Sequence, residues 1–312
     1  MKNLAEIEEL ELFTQIELIA KQVVEGFITG LHRSPYHGFS VEFAEHRHYN
    51  TGESTKHIDW KLYARTEKLF VKKYEEETNL KAHIVIDNSS SMLFPYPEGK
   101  LHNKLYFSVY CAAALIRMLR SQRDAVGLSI FTDQIDLRTE AKLSEVHAQF
   151  LYGELTRLLE NSTKGNTKTL LNKKTNTSQV LHNLAESLPS RSLIILFTDM
   201  FDESGPEELF SALQHFRYNK HEVILFHVVD QQLEGDFDYP ARPHRFVDME
   251  TGEVMKLNPG DLKNHYTHIT DEFFKEIKLR CGQYKIDLAE ADIRKDFKEV
   301  LLPFLIKRSK LY

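Results

Sequence analysis

A chain of 312 residues with 42% hydrophobic and 28% charged residues, 13 glycines and 9 prolines has the composition of a compact globular protein, with room for one large domain or a domain and an appendage. Its formal net charge of -6 offers no basic excess to displace counterions from phosphates, which removes the main electrostatic basis for nucleic-acid binding. Two cysteines, Cys111 and Cys281, lie far apart and give neither a disulfide framework nor a paired-cysteine zinc site, so a reducing compartment is expected.

The amino terminus places Leu4, Ile7, Leu10, Phe13, Ile16, Ile19, Val23, Val24 and Phe27 near helical spacing, which predicts a docking helix over residues 4–27. Its many glutamates, and the lack of a basic leader and a small-residue cleavage site, do not read as a signal peptide. No stretch reaches the roughly 20 apolar residues needed to cross a bilayer. The chain is therefore expected to be cytoplasmic, without direct membrane insertion. Two strands follow, "FSVEFAEHRHY" and "LFVKKYEEE", around a structured loop.

From Lys81 onward, strand-like runs alternate with helical ones. "AHIVID" precedes a helix over about 100–122, and "AVGLSIF" turns back into an edge strand, "IDLRTEA". Helices are predicted over about 144–161 and at "SQVLHNLAESL", with a polar loop between them. "SLIILFTD", the helix of "PEELFSALQHF" and "EVILFHVVD" come next. "HRFVDMETGEVMKL" reads as a hairpin turning at Thr251-Gly252. A helix over about 271–283, the strand "KIDLAE" and a last helix containing Pro303 complete the chain. Such alternation predicts an α/β fold: a doubly wound, mainly parallel, Rossmann-like sheet flanked by helices, with an amino-terminal helix and a small β appendage. The expected division is residues 1–79 and 80–312.

In a doubly wound sheet, ligands bind beyond the carboxyl ends of the strands. Asp87, in "VIDNSSSM", stands at one such end, and Asp199, in "LFTDM", at another. The spacing Asp87-x-Ser89-x-Ser91 puts alternate side chains on one side of an extended turn, so three oxygens can converge. Hard divalent cations take such oxygens, and Mg2+ keeps several waters besides. Before the helix at 178, Thr175 and Thr177 each offer a further hydroxyl, and Thr177 is also placed to cap that helix. Asp133, in "IFTDQ", competes with Asp199, but it opens a hairpin return, whereas Asp199 leads through a loop into a helix. An Asp199 well away from Ser89 and Ser91, or a lysine ammonium lodged between them, would end the proposal of a metal.

Together, Asp87, Ser89, Ser91, Thr175 and Asp199 resemble the metal-ion-dependent adhesion site (MIDAS) of von Willebrand factor A-type domains. The resemblance implies these five residues as ligands of Mg2+, with Mn2+ able to replace it. It also implies a vacant position filled by an acidic side chain of a protein partner.

A second stretch, "EFAEHRHYNTGESTKHIDWKLYARTEKLFVKKYEEE", resembles the region that identifies the bacterial domain-of-unknown-function family 58. Arg47, Tyr49, Gly52, Glu53, Ile58, Asp59, Trp60, Ala64, Arg65, Tyr74 and Glu75 stand at matching positions, while Thr51 replaces a frequent proline and Glu53 and Lys56 replace the commoner Asp and Arg. The resemblance implies an intracellular protein acting with a MoxR-type AAA+ ATPase as adaptor or chaperone-like partner. Physically, Arg47, Asp59 and Arg65 suit an ion-pair network anchored by a buried Trp60, the favoured role. The alternative is a partner-binding surface formed by Arg47, Tyr49, Asp59, Trp60 and Arg65.

Enzymatic machinery is not evident. An aspartyl-phosphate enzyme would want a second carboxylate where Ser89 stands, and there is no P-loop, G-x-G-x-x-G, G-x-S-x-G or H-E-x-x-H element. His46, His48 and His57 lack a fourth zinc ligand. A non-enzymatic, metal-dependent binding module is expected, with a metal-dependent hydrolase of phosphorylated substrates as the alternative.

Overall fold

The computed structural model describes residues 14–18, 20–21, 40–48, 60–77, 80–95, 103–164, 177–201, 205–248, 252–297 and 299–301. The chain divides into two compact units, residues 33–80 and the remainder, so the described helical residues 14–18 and 20–21 group with the larger unit and not with the β appendage.

In the smaller unit, β1 (Ser40–His48) and β2 (Phe70–Glu77) pair antiparallel with a register shift between Phe43 and Glu45. Between them, the stretch expected to be loop contains a short helix, α1 (Trp60–Thr66).

The larger unit is built on β3 (Lys81–Asp87), β4 (Ala125–Phe131), β5 (Ile135–Arg138), β6 (Leu193–Thr198), β7 (Glu222–Val229) and β10 (Asp287–Asp292). These form one six-stranded sheet in the order β10-β7-β6-β3-β4-β5. All pairings are parallel except the β4–β5 hairpin at one edge. The sheet is therefore the expected mainly parallel α/β core. β3, β6 and β7 read as continuous apolar runs because helices cover them, and every β6 side chain is buried.

The helices are α2 (Lys104–Ser121), α3 (Glu145–Lys164), α4 (Thr177–Ser187), α5 (Pro206–Tyr218) and α6 (Pro259–Tyr284). α2 is buried over most of its length and packs on β3, β4 and β7, while α4, α5 and the end of α6 close one core with Val85, Ile194, Leu196 and Leu225. The hairpin β8 (His244–Val247) and β9 (Val254–Leu257) forms as expected, with Gly252 at positive φ in its turn. α6 begins at Pro259, well before the expected start near Asp271. Residues 297 and 299–301 are helical, and Pro303 lies outside the described residues, as does most of the amino-terminal stripe. Among the described residues no helix is long and apolar enough to cross a membrane.

Candidate metal centre

The sheet reverses its winding between β3 and β6: from β3 the chain proceeds outward through β4 and β5, then returns to the other side of β3 for β6, β7 and β10. Loops diverge at such a point and leave a crevice at the carboxyl ends. Ile86 is the register partner of Phe197, so Asp87 and Asp199 sit at the tips of adjacent parallel strands. Both are fully buried. Asp133 is exposed in the β4–β5 turn, where the Thr132 hydroxyl donates to it, and does not share this place.

Each carboxylate is held by its own loop. Asp87 Oδ1 accepts the Ser89 backbone N–H at 2.9 Å and its Oδ2 accepts the Thr198 hydroxyl at 2.7 Å. Thr198 Oγ1 also accepts the N–H of Met200, a residue in the left-handed region, so one side chain ties the β3 rim to the β6 rim. Ser89 and Ser91 bring their hydroxyl oxygens to 3.0 Å from one another. Ser89 is buried, and Ser91 is half-buried. Asp87 is thus joined to Ser89, and Ser89 to Ser91. Thr175 lies outside the described residues. Thr177 opens α4, and its buried hydroxyl has no hydrogen-bond partner among them, so it makes no cap.

Two charged groups at this rim escaped the sequence analysis. The Lys104 ammonium, fully buried, lies 2.8 Å from Asp199 Oδ2 and 2.7 Å from Glu234 Oε1. It is also near the rings of Phe94 and Phe201. Glu234, in the turn Gln231–Gly235 after β7, accepts the Asp230 N–H through its other oxygen. Asp230 itself is neutralised by a two-pronged contact from Arg294. The ammonium lies between Asp199 and Glu234, and among the described residues its hydrogen bonds go to those two acids and not to Ser89 or Ser91. In the sequence Lys104 stands out only as the lone charge at the head of an uncharged run that ends at Ile116, which does not name its partners.

Burial opposes the charged ammonium, yet Asp199 and Glu234 outweigh it and raise the Lys104 pKa. At Glu234 burial prevails over Lys104 and the carboxyl is raised. Asp87 is pushed up to about 7, by burial first and then by the negative charge of Asp199. His227, whose Nε2 lies 3.2 Å from the Asp199 carbonyl oxygen, is lowered to about 4 by burial and adds no positive charge at neutral pH. Asp199 and Glu234 therefore share one ammonium, while Asp87 is held by Ser89 and Thr198.

The family described as "Protein of unknown function DUF58" matches residues 45–271. The chain belongs to this family. No curated protein matches it. Solved structures similar to it include the conserved hypothetical protein BatB from Bacteroides thetaiotaomicron, 13% identical over 74% of this chain and 99% of that one with a TM-score of 0.41. An aerotolerance-related membrane protein from Bacteroides fragilis NCTC 9343, carrying multiple mutations to serines, is 12% identical over 75% and 100% of the two chains with a TM-score of 0.42.

In this DUF58 chain the amino-terminal signature departs from expectation at one residue. Trp60, expected as a buried anchor, is 60% exposed and meets Tyr63 edge-on, with ring centroids 6.2 Å apart. Arg65 is exposed on the same short helix, and Arg47 belongs to β1 opposite Val71. α1 buries none of its residues, so a tryptophan there has no core to anchor. Tyr49 and Asp59 lie outside the described residues.

Proposed function

We propose that the chain is a von Willebrand factor A-like binding module without enzymatic activity. It holds Mg2+, or Mn2+ in its place, on Asp87, Ser89, Ser91 and Asp199, the fifth implied ligand Thr175 lying outside the described residues, and so engages an acidic side chain of a protein partner, acting as adaptor or chaperone-like partner of a MoxR-type AAA+ ATPase. One observation carries this: at the switch point of the sheet, two buried strand-end acids, Asp87 and Asp199, stand close enough for the charge of one to raise the pKa of the other, and the loop after Asp87 brings two serine hydroxyls to 3.0 Å from each other.

Among the described residues no three His, Cys, Asp or Glu side chains gather as a metal cluster, so the reading rests on two carboxyl groups supplemented by serine hydroxyls and waters, a donor set that Mg2+ accepts. Burial first and then the charge of Asp199 raise the Asp87 pKa, and a divalent charge beside it would oppose both. When bound, the ion supplies an open coordination position attractive to a carboxylate. The chain does the rest: Thr198 locks the two rims together, the Ser89 N–H orients Asp87, and the Phe201 N–H orients Asp199 through Oδ1. With Ser89 where a phosphotransferase would carry its second carboxylate, binding is favoured over hydrolysis.

Capture of a MoxR-type ATPase by the immobilised chain tests this. Binding is expected to require Mg2+, to be lost with EDTA and to be lost in Asp87→Ala. Capture that survives both treatments overturns the proposal.

A further inference from the structure

Lys104 breaks a local rule. It is the first residue of α2, at the positive end of the helix macrodipole, where a cation is disfavoured and a carboxylate welcome. Burial compounds the cost of the charge there. Such a violation marks a functional or strained site.

What holds the ammonium is a pair of acids from two other segments: Asp199, which follows β6, and Glu234, in the turn after β7. Asp199 has no idle oxygen, since Oδ1 accepts the Phe201 N–H at 3.2 Å and Oδ2 accepts Lys104. A divalent cation drawing directly on Asp199 must share that carboxylate with the ammonium, and two positive charges this close in a low-dielectric site repel strongly. Glu234 changes the outcome, because it offers the ammonium a second acceptor without moving α2.

We propose that Lys104 is an internal competitor for the divalent cation, a positioning residue that claims Asp199 in the metal-free chain and, with Glu234 as its alternative acceptor, sets the affinity of the rim for metal. This rests on the metal-binding role proposed above. Affinity is thereby held down by a charge that belongs to the fold. Asp87, Ser89 and Ser91 form the metal's primary foothold, and the Asp199 contribution is regulated by where the ammonium sits.

The test is direct titration of the full chain with Mn2+, reading free Mn2+ by electron paramagnetic resonance and confirming the site by competition with Mg2+. The double variant Lys104→Gln/Glu234→Gln removes one positive and one negative charge together. The trio keeps its net charge, no orphaned buried acid is created beyond Asp199 itself, and Asp199 is freed. It is expected to bind Mn2+ about tenfold or more tightly than the wild type. Adding Asp87→Asn should abolish the gain. Glu234→Gln alone, which keeps Lys104 but replaces its second anionic acceptor with a neutral amide, should weaken binding about tenfold and covers the case in which the double variant does not fold. Equal affinities in the wild type and the two Glu234 variants overturn the competitor role while leaving the metal site standing. A gain that persists with Asp87→Asn places the ion elsewhere and overturns it too. No Mn2+ bound by the wild type or by any variant overturns the metal site itself.

Discussion

At Asp87 the fold holds a proton more tightly than the unfolded chain does, because burial and Asp199 push its pKa to about 7 from an ordinary value of 3.8. Between those two pH values the folded form is the more protonated, so the contribution of Asp87 to stability falls as pH rises, levelling off above about 7. In EDTA, urea denaturation of the wild type should therefore lose ground against Asp87→Asn by a few kcal/mol, on the order of 2–4, as pH rises from about 4 to above 7. The Asn variant gives up a good acceptor for Ser89 N–H or the Thr198 hydroxyl, which adds a constant offset but no slope. Parallel curves would show that the Asp87 proton is not where burial puts it. The strand-end acids were legible because they close the apolar runs of β3 and β6, and the serines because they alternate after Asp87. Lys104 and Glu234 were not, since their pairing joins positions 130 residues apart and no local pattern announces a partner at that distance. Trp60 misled for a related reason: a tryptophan among charged residues suggests an anchor, and only the lack of any buried residue in α1 shows that none is formed.

Among the elements, the β3–β4 pair exposes a second constraint that sequence periodicity conveys only in part. His83 and Gly127 are register partners, and a Cβ at position 127 would come within 2.5 Å of His83 Cε1. The ring is buried, neither nitrogen has a hydrogen-bond partner among the described residues, and burial lowers its pKa to about 4, so it packs as a neutral filler that leaves no room beside it. Gly127→Ala should destabilise the larger unit by roughly 1–3 kcal/mol in urea, the usual effect of overpacking. His83→Ala should relieve most of it, giving a clear coupling in a double-mutant cycle. Additive effects would mean that the sheet accommodates the methyl by another route. The strands themselves were readable as apolar runs, the antiparallel β5 as a hairpin return, and β8–β9 from Gly252. The first half of α6 was not, because "PGDLKNHYTH" is polar and largely exposed and presents no apolar stripe. Pro259 at its first turn was the signal available there.

For the molecule as a whole, the decisive property is that the candidate centre belongs to one of two compact units, and a ligand that binds only the folded form stabilises the unit that holds it. An ion at a hundred times its dissociation constant adds about 2.7 kcal/mol. For a domain of this size that corresponds to a rise of several degrees in the unfolding temperature. Mg2+ should accordingly raise the main calorimetric transition of the wild type by roughly 5–10 °C at saturation and leave Asp87→Asn unmoved. Hydrogen exchange adds the spatial test. Amides at the carboxyl ends of β3 and β6, including those of Ser89 and Phe201 that hold the two carboxylates, should gain protection with Mg2+, while β1 and β2 of the smaller unit stay as they were. A gain spread evenly over both units, or one retained in Asp87→Asn, would be the mark of a general salt effect. A gain confined to the β3–β6 rim requires an ion at the switch point of the sheet, since no other mechanism distinguishes Asp87 from the exposed acids that any cation can screen.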